Sequence, residues 1–297
     1  MESGLAGMVS HYRNSYHDGT SQRTYGDIMK FSSAIIGLFA LIFGGSAMAA
    51  ENTIETTVKP TIALVHGAFE DSHVWQGVEA KLKADGYPVL AIELPGRPGA
   101  PMSPADVSLN LYRDTVLKSL AKTTRPAVLV GHSFGGITIS AVAEAAPEKV
   151  KTLVYVAAYL PRDGESLVSM AQQDPDAKIG PQLQIKKEQG VAVVNYAARA
   201  DLFANDGPAP LRAALPNLIL DEPLAPLATP VHLTDARFGR VDKVYVHTSK
   251  DQVISPAFQA EMVAATPVRS ETTLATGHTP FLTDPAGLVA AIEKAAR

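Results

Sequence analysis

The sequence predicts an α/β fold: a mostly parallel central sheet with helices on both faces and an inserted cap. Three observations lead to this prediction. From Val58 onward, short apolar runs alternate with segments whose apolar residues recur at helical spacing. The runs are continuously apolar, which is typical of parallel strands that helical crossovers bury on both faces. Residues 161–232 interrupt this rhythm once, after which it returns.

The composition is that of a globular protein. The chain has 297 residues, of which 46% are hydrophobic and 19% are charged, enough for a sizeable core. The formal net charge is −4 and the basic residues are scattered, so we expect no nucleic-acid partner. The absence of cysteine excludes disulfides, thiolate metal sites and a cysteine nucleophile. Because no H-E-x-x-H or similar ligand spacing occurs, we also expect no metal.

The N-terminal part differs from the rest of the chain. Residues 1–28 are polar and aperiodic, and we interpret them as disordered or as upstream sequence that the natural product lacks. Residues 29–49 have the pattern of a signal peptide: Lys30, an apolar run over Ala34–Phe43, and the small residues Ala47-Met48-Ala49 as a cleavage site. The apolar run is too short for a membrane anchor. The sequence therefore predicts an exported protein, periplasmic or secreted, whose mature domain is 50–297.

Strand and helix patterns alternate without a break before the interruption. The first strand is an apolar run that ends at a glycine, and the first helix also stops at a glycine. The predicted elements, in chain order, are a strand over Thr61–Gly67, a helix over Val74–Gly86, a strand over Tyr87–Gly96, a helix over Ala105–Lys122, a strand over Ala127–Ser133, a helix over Gly135–Ala146 and a strand over Lys151–Pro161.

The interruption at 161–232 is predicted to be a cap that sits on the sheet. It holds nine of the 21 prolines, no clear strand, and only short helical pieces such as "VAVVNYAARADLF". The alternation then resumes. The predicted elements are a strand over Asp242–Asp251, a helix over Ser255–Thr266, an edge strand over Arg269–His278 and a closing helix over Thr283–Ala296, in which Asp284 precedes the helix.

A serine lies between glycines where the third strand gives way to a helix. The motif is Gly131-His132-Ser133-Phe134-Gly135. A serine hydroxyl needs a base to take its proton, and a sharp strand-to-helix turn with small flanking residues exposes it to a substrate. The turn also places the amide of Phe134 at a helix N-terminus, where developing negative charge is stabilised. The alternative is a glycine-rich turn with an idle serine.

A nucleophilic serine of this kind requires an acid and then a histidine, both on loops after later strands. Asp251 and His278 have these positions. The other candidates fit less well. Asp235, Asp242 and Asp284 do not follow a strand. Among the histidines, we expect His66 to hold the neighbouring loop, His132 to point away from the serine and His247 to be part of the core. His73 lies before a helix and His232 at the end of the insertion, with lining of a pocket as the alternative for each.

The remaining predicted parts are an oxyanion hole and an acyl pocket. A second oxyanion donor usually comes from the loop after the first of these strands, so the amide of Ala68 is the first choice and that of Phe69 the second, beside Phe134. Apolar and aromatic side chains near the serine are candidates for the pocket, with core packing as the alternative for each. They are Phe69, Trp75, Phe134, Tyr159 and Phe281.

With these residues placed, the chain resembles the α/β-hydrolase superfamily over about Thr61 to Ala296, and within it the branch of plant methyl esterases, hydroxynitrile lyases and bacterial pyrethroid-type carboxylesterases. The stretch Thr234–Gly239 is the most specific to that branch. The other segments that carry the resemblance are "LVHGAFEDSHVW", "LVGHSFGG", "LVYVAAYLP" and "GHTPFLTDP". The resemblance implies an α/β-hydrolase fold with an eight-strand sheet, a cap over Ser133, no cofactor, and small hydrophobic carboxylic esters as substrates.

Two departures bear on the reaction. Hydroxynitrile lyases of this branch carry a lysine directly after the catalytic histidine and favour an acidic residue before the serine, whereas this chain has Thr279 and His132. Both differences favour an esterase. The signal peptide also departs from the cytosolic plant proteins and suggests a bacterial, exported enzyme.

The leading hypothesis is a serine carboxylic ester hydrolase. Ser133 would attack the acyl carbon, His278 would act as base and then as acid, and Asp251 would orient and stabilise the imidazolium. Its partner would be a small-molecule ester, with no nucleic acid and no stable membrane anchor. The alternatives are a lyase-like or other cofactor-free reaction on the same triad, and a ligand receptor that keeps the triad but turns over slowly.

Overall fold

The computed structural model describes residues 58–297, so the segments 1–28 and 29–49 and their predictions lie outside the described residues. Six strands form a sheet in which each neighbouring pair is parallel, in the order β2-β1-β3-β4-β8-β9. The nine strands are β1 (Ile62–Val65), β2 (Val89–Ile92), β3 (Ala127–His132), β4 (Val150–Val156), β5 (Leu183–Lys186), β6 (Val191–Val194), β7 (Glu222–Pro223), β8 (Asp242–Thr248) and β9 (Ser270–Leu274).

Helices cover the sheet on both faces, as predicted. The α-helices are α1 (Gln76–Ala84), α2 (Leu109–Leu120), α3 (Gly135–Ala145), α4 (Leu167–Ala171), α5 (Arg199–Phe203), α6 (Ala209–Ala214), α7 (Leu224–Ala228), α8 (Pro256–Ala265), α9 (Pro280–Thr283) and α10 (Pro285–Ala296). On one face, Ala63 and Val65 pack with α2, α3 and α8. On the other, Ile62 and Leu64 pack with α1 and α10. Because successive strand residues point to opposite faces, β1 is apolar throughout.

The sheet has six strands within residues 58–297, not the eight that the resemblance implies. Further strands would have to pair beyond β2 or β9, the two edges. The three other described strands, β5 to β7, pair antiparallel with one another instead. None of the helices in the described region combines the length and the apolar character that a membrane span requires.

The three-stranded sheet corrects the prediction of a cap without strands. The segment predicted as helical over Val191–Phe203 begins as strand β6, and α5 starts only at Arg199. Three of the four residues of β6 are valines, which favour an extended backbone because branched side chains fit a pleated surface. Gly190, at a φ of 68°, reverses the chain between β5 and β6. The cap therefore consists of this small sheet and the short helices α4 to α7.

The branch-specific stretch Thr234–Gly239 docks on the C-terminal end of α3. The backbone N–H of Thr234 donates to the carboxylate of Glu144 at 2.8 Å. The Arg237 guanidinium donates to the backbone carbonyls of Glu144 and Ala145. A cation on the last free carbonyls of a helix is stabilising. This contact fixes the helix that follows Ser133 at its far end.

Candidate active site

Ser133 lies on a sharp turn between β3 and α3. Its φ is 52°, in the left-handed region that residues other than glycine rarely adopt. The turn is tight enough to need glycine on both sides: a Cβ on Gly131 would lie 2.6 Å from the carbonyl oxygen of Gly135, and one on Gly135 would lie 2.8 Å from that of Val65. The strained serine and its small neighbours are the arrangement that presents a nucleophile at the edge of a sheet.

Asp251 and His278 form a buried pair. His278 Nδ1 lies 3.1 Å from Oδ1 and 2.9 Å from Oδ2 of Asp251, and neither side chain is exposed. A carboxylate only accepts, so Nδ1 carries the donated proton. His278 Nε2 is buried and has no hydrogen-bond partner in the described part of the chain. The imidazole therefore presents an unpaired ring nitrogen, although no hydrogen bond joins it to Ser133 here.

The Asp251 carboxylate is held on both oxygens besides its contact with His278. It follows β8, as His278 follows β9. Its donors are backbone amides and neutral side chains, all within 3.1 Å: the N–H groups of Val253 and Ile254, the hydroxyl of Thr248 and the amide of Gln259. These donors stabilise the ionised carboxylate and fix its orientation.

His132, directly before Ser133, ties the serine turn to the histidine loop. Its Nε2 lies 2.8 Å from the backbone oxygen of His278 and its Nδ1 lies 2.9 Å from Oε2 of Glu70. The two imidazole rings stand 4.6 Å apart between centroids. Both ring nitrogens of His132 face acceptors, so both donate and the ring is an imidazolium. Neither this contact of His132 nor a role for Glu70 was predicted from the sequence.

The pKa values agree with a Glu70–His132 ion pair. Burial lowers the pKa of His132, but the Glu70 charge and hydrogen bond raise it above its usual value. Burial raises the pKa of Glu70, but His132 outweighs this and the pKa lies below its usual value. Glu70 Oε2 also accepts from the backbone N–H of Gly67 at 3.1 Å. Through His132, this carboxylate connects the loop after β1 to the loop after β9.

His66 holds the same loop, as expected. Its Nδ1 lies 2.9 Å from the carbonyl oxygen of Gly67, and the backbone N–H of Leu94 donates to its Nε2 at 3.2 Å. This requires the neutral tautomer with the proton on Nδ1. Burial, helped by the Arg97 charge, lowers the pKa of His66 to about 4. His66 is therefore a neutral structural residue near neutral pH.

The loop after β1 contains the candidate oxyanion donors. The backbone N–H of Phe69 donates to Glu222 Oε2 at 2.7 Å, so the second-choice donor is occupied. For the amides of Ala68 and Phe134, no acceptor occurs within residues 58–297. Phe69 has a φ of 64°, and its carbonyl accepts from Leu220 of the cap at 2.8 Å. The cap thus binds both the N–H and the carbonyl group of Phe69, through Glu222 and Leu220, and leaves the Ala68 amide without an acceptor.

Glu222 belongs to a fully buried ion pair with Arg97. The guanidinium donates to Glu222 Oε2 at 2.5 Å and to the carbonyl of Glu70 at 2.6 Å. Tyr112 donates its hydroxyl to Glu222 Oε1 at 3.3 Å. Burial raises the pKa of Tyr112, and the Glu222 charge raises it further, so the phenol stays neutral and acts as a donor. This cluster fastens β7 of the cap to the loop that carries Ala68.

A cavity of about 310 Å³ opens beside Ser133. Ala68, Phe69 and Ser133 are among the residues that line it. The cap supplies most of the remaining wall with apolar side chains, among them Leu167, Ile179, Leu183 and Leu227. The polar side chains of the lining are those of Ser133, Tyr159 and Asp174. Asp174 belongs to the cap and was not predicted to line the pocket.

Two of the predicted pocket residues line this cavity and the others do not. Phe69 and Tyr159 do. Trp75 and Phe281 pack against each other on the α1 and α10 face of the sheet, 5.0 Å apart between ring centroids. The side chain of Phe134 packs against the Tyr112 ring at 6.2 Å. Proximity in sequence to a site residue does not determine on which face of the sheet a side chain lies.

The other histidines lie away from the cavity wall. His73 contacts Asp71, with Nδ1 and Oδ1 3.2 Å apart. His232 is exposed beside Asp163. His247 was predicted to be a core residue, and this is wrong. Its Nε2 contacts the exposed Glu271 at 2.8 Å. Asp284 does precede the closing helix and accepts from the backbone N–H of Gly287 at 2.9 Å.

One group of described side chains has the composition of a metal site. Potential ligand atoms of Asp71, His73 and Glu93 lie within 4.8 Å of one another. The Asp71 and His73 side chains already contact each other, and Ser72 donates to Glu93 at 2.6 Å. None of these residues is part of the Asp251–His278 pair or of the cavity lining. The expectation of a metal-free site stays a prediction.

Comparisons with known proteins agree on the family. The profile of the Alpha/beta hydrolase family matches residues 62–292. Methylesterase 7 of Arabidopsis thaliana is 28% identical over 251 residues, which cover 76% of this chain and 92% of that protein. A pyrethroid hydrolase of Sphingobium wenxiniae is 28% identical over 240 residues, covering 78% of this chain and 85% of the relative.

A solved structure has the same fold. The crystal structure of a pyrethroid hydrolase from Sphingobium faniae superposes with a TM-score of 0.72 at 25% identity, covering 80% of this chain and 97% of that one. Some plant relatives are longer. The chain spans 56%, 61% and 57% of the length of three chloroplastic relatives from Arabidopsis thaliana.

Proposed function

Because the chain belongs to the alpha/beta hydrolase family, we propose that it is a serine carboxylic ester hydrolase that acts on small hydrophobic esters. The observation that carries the proposal is the Asp251–His278 pair, whose unpaired Nε2 lies on the loop that His132 fastens to the Ser133 turn. The relatives named as a methylesterase and a pyrethroid hydrolase support ester substrates. The apolar cavity of about 310 Å³ supports small, hydrophobic ones.

The proposed reaction begins with proton transfer. His278 Nε2 takes the proton of Ser133 Oγ while the oxygen attacks the ester carbonyl carbon. The carbonyl oxygen becomes an oxyanion, which the amides of Ala68 and Phe134 stabilise. His278 then gives its proton to the departing alkoxide, and an acyl-enzyme forms. Water, activated by the same nitrogen, releases the acid and restores Ser133. The Asp251 carboxylate stabilises the imidazolium in both halves.

The residue after His278 favours hydrolysis over a lyase-like reaction. Thr279 is buried and its hydroxyl donates to the backbone oxygen of Phe203 in the cap. It offers no cationic group for a charged leaving group such as cyanide. A hydrolase needs none there, because the departing alkoxide is protonated by His278.

Turnover of p-nitrophenyl acetate and butyrate tests the proposal. We expect steady-state hydrolysis by the wild type and a loss on the order of 10⁴-fold or more in kcat for Ser133→Ala, since members of a triad act as a unit. Ser103→Ala is the matched control, because Ser103 is exposed and its side chain makes no capping bond. Retention of more than about a tenth of the wild-type rate by Ser133→Ala would overturn the proposed mechanism.

A further inference from the structure

Asp174 introduces an acidic group into the apolar wall beside Ser133. Among the lining residues, all of which lie in the described part of the chain, it is the one acidic or basic side chain. Only 7% of its surface is exposed. Acidic groups are seldom buried unless they are paired or hydrogen-bonded. The contacts of Asp174 therefore indicate what the cavity can bind.

One oxygen of the Asp174 carboxyl group accepts a hydrogen bond, and the other has no partner in the described part of the chain. Oδ2 accepts from the backbone N–H of Ser255 at 2.7 Å. Oδ1 is buried and has no hydrogen-bond partner within residues 58–297. Because the Ser255 contact orients the side chain without any ligand, Oδ1 is a preorganised acceptor, which lowers the cost of ordering a bound group.

Tyr159 lines the cavity together with Ser133 and Asp174. Its backbone N–H donates to the carbonyl of Ser133 at 3.1 Å, and its side chain lines the same cavity. Burial raises the pKa of Tyr159, and the charge of Asp174 raises it further. Tyr159 is thus a neighbour of Ser133 and shares the cavity wall with Asp174. A molecule filling the cavity spans the distance between the nucleophile and the acid.

We propose that the cavity takes an ester that carries a hydrogen-bond donor, a hydroxyl or an amine, which donates to Oδ1 of Asp174. This inference rests on the proposed esterase function and specifies its substrate class. A protonated amine is the stronger partner, since the lining contains no basic side chain to offset the carboxylate. An unpaired donor in an otherwise apolar cavity would instead weaken binding.

The test compares straight-chain methyl esters of increasing length whose chains end in a methyl, a hydroxyl or an amine group. The readout is the ratio of kcat/KM for the donor-bearing ester to kcat/KM for its methyl-ended partner, measured by acid release. Inactive protein cancels in this ratio. If Asp174 only anchored the cap to Ser255, its replacement would change both esters equally and leave the ratio unchanged.

We expect the wild-type ratio to reach at least about one at a preferred chain length and to fall about tenfold or more for the amine in Asp174→Asn. Asparagine can still accept from Ser255, but it has no charge and directs an N–H₂ group to the ligand. Asp176→Asn is the control, because Asp176 is exposed in the same loop and the change in charge is identical. Its ratio should match that of the wild type.

Two results would overturn the inference. One is a ratio that Asp174→Asn leaves unchanged. The other, which needs no variant, is a wild type that disfavours the donor-bearing esters by more than about tenfold at every chain length. In both cases hydrolysis of the methyl-ended esters leaves the esterase proposal standing. A wild type that hydrolyses none of the esters would overturn the esterase proposal and this inference together.

Discussion

The carboxylate of Asp251 accepts hydrogen bonds on both of its oxygens. Backbone amides, a hydroxyl and a side-chain amide donate to its two oxygens, and His278 donates to both. Such a carboxylate sets the imidazole tautomer before any substrate arrives. It also cannot be replaced by an amide without loss, because an amide nitrogen has no lone pair to offer these donors.

We therefore expect Asp251→Asn to lower kcat by roughly 10³- to 10⁴-fold, because the wrong tautomer of His278 is stabilised. The melting temperature should fall as well, since buried donors lose their acceptor. Steady-state kinetics and thermal unfolding measure the two effects. Asp106→Asn, at an exposed position, should change neither. A variant within about tenfold of the wild-type kcat would contradict the role given to Asp251.

The Glu70–His132 pair predicts a pH-dependent contribution to stability. The pKa of His132 is raised above its usual 6.5, so its contribution is fully present below pH 6.5 and is lost as the pH rises through the folded-state pKa. The pKa of Glu70 is lowered below its usual 4.5, so its contribution is present above pH 4.5 and is lost as the pH falls through the folded-state pKa. Both groups therefore contribute fully to the free energy of unfolding between pH 4.5 and pH 6.5.

Glu70→Gln should accordingly lower the melting temperature most in the window between pH 4.5 and pH 6.5, the usual pKa values of the two groups. The difference from the wild type should narrow at higher pH, where His132 loses its proton. Thermal unfolding across the pH range measures this difference. A gap that widens steadily toward alkaline pH would show that no imidazolium is involved.

At the level of elements, β7 of the cap is coupled to the loop after β1. Glu222 brings a buried charge to Arg97 and to the Phe69 amide. Removing one partner of such a pair leaves the other charge buried and unpaired. Replacing both partners by apolar groups removes this penalty.

Glu222→Leu is expected to lower the free energy of unfolding by about 3–5 kcal/mol, and the double variant Arg97→Met/Glu222→Leu by less. Both should reduce kcat/KM for p-nitrophenyl esters, because the Phe69 peptide loses its acceptor and the Ala68 amide is no longer positioned. Denaturant unfolding and kinetics on the same preparations test this. A double variant less stable than Glu222→Leu would refute the coupling.

The turn between β3 and α3 makes a prediction with an internal control. A Cβ on Gly131 would meet backbone atoms of Gly135 and Gly136 at 2.6–2.9 Å, which cannot move away as a side chain can. Gly131→Ala should therefore abolish activity and destabilise the protein by more than about 1 kcal/mol. Gly77→Ala, at an exposed position of helix α1 with no atom within 4 Å of the added Cβ, should leave activity unchanged and raise stability slightly. Equal effects of the two substitutions in thermal unfolding would contradict this account.

Local pattern predicted the elements of the main sheet but not those of the cap. Strands β1, β3 and β4 are buried apolar runs, and such a run can be recognised from a few consecutive residues. β5 is largely exposed and β7 has two residues, including a proline, so neither has a pattern to detect. Asp251 and His278 were proposed from their places after strands. Glu70 and Glu222 were not, because their partners His132 and Phe69 lie 62 and 153 residues away in sequence.

Across the whole molecule, the proposed site residues share one edge of the sheet. Ala68 follows β1, Ser133 follows β3, Asp251 follows β8 and His278 follows β9. The carboxyl ends of parallel strands meet at the same edge, which is where open α/β sheets bind their ligands. All of these residues lie C-terminal to Ala49, so cleavage there would leave them in place.

We propose that the chain is exported and that a signal peptidase cleaves after Ala49. Mass spectrometry of protein recovered from the periplasm or medium should then find Ala50 or Glu51 at the N-terminus. Protein recovered inside the cell after export is blocked is the control and should keep residues 29–49. Exported protein that still carries Phe31 to Ala49 would contradict the proposal.

The cap enters and leaves the fold between β4 and β8, which are neighbours in the sheet. An insertion whose two ends join adjacent strands can be exchanged as a unit. A chimaera could therefore carry the corresponding segment of a relative in place of residues 161–232 without changing the strand order of the sheet. The graft would have to keep an acceptor for the Phe69 amide, as Glu222 provides, and one for Ser255, as Asp174 provides. If those two hydrogen-bond acceptors were retained, the chimaera would select esters as the relative that supplied the cap does. The catalytic residues would remain those of this chain.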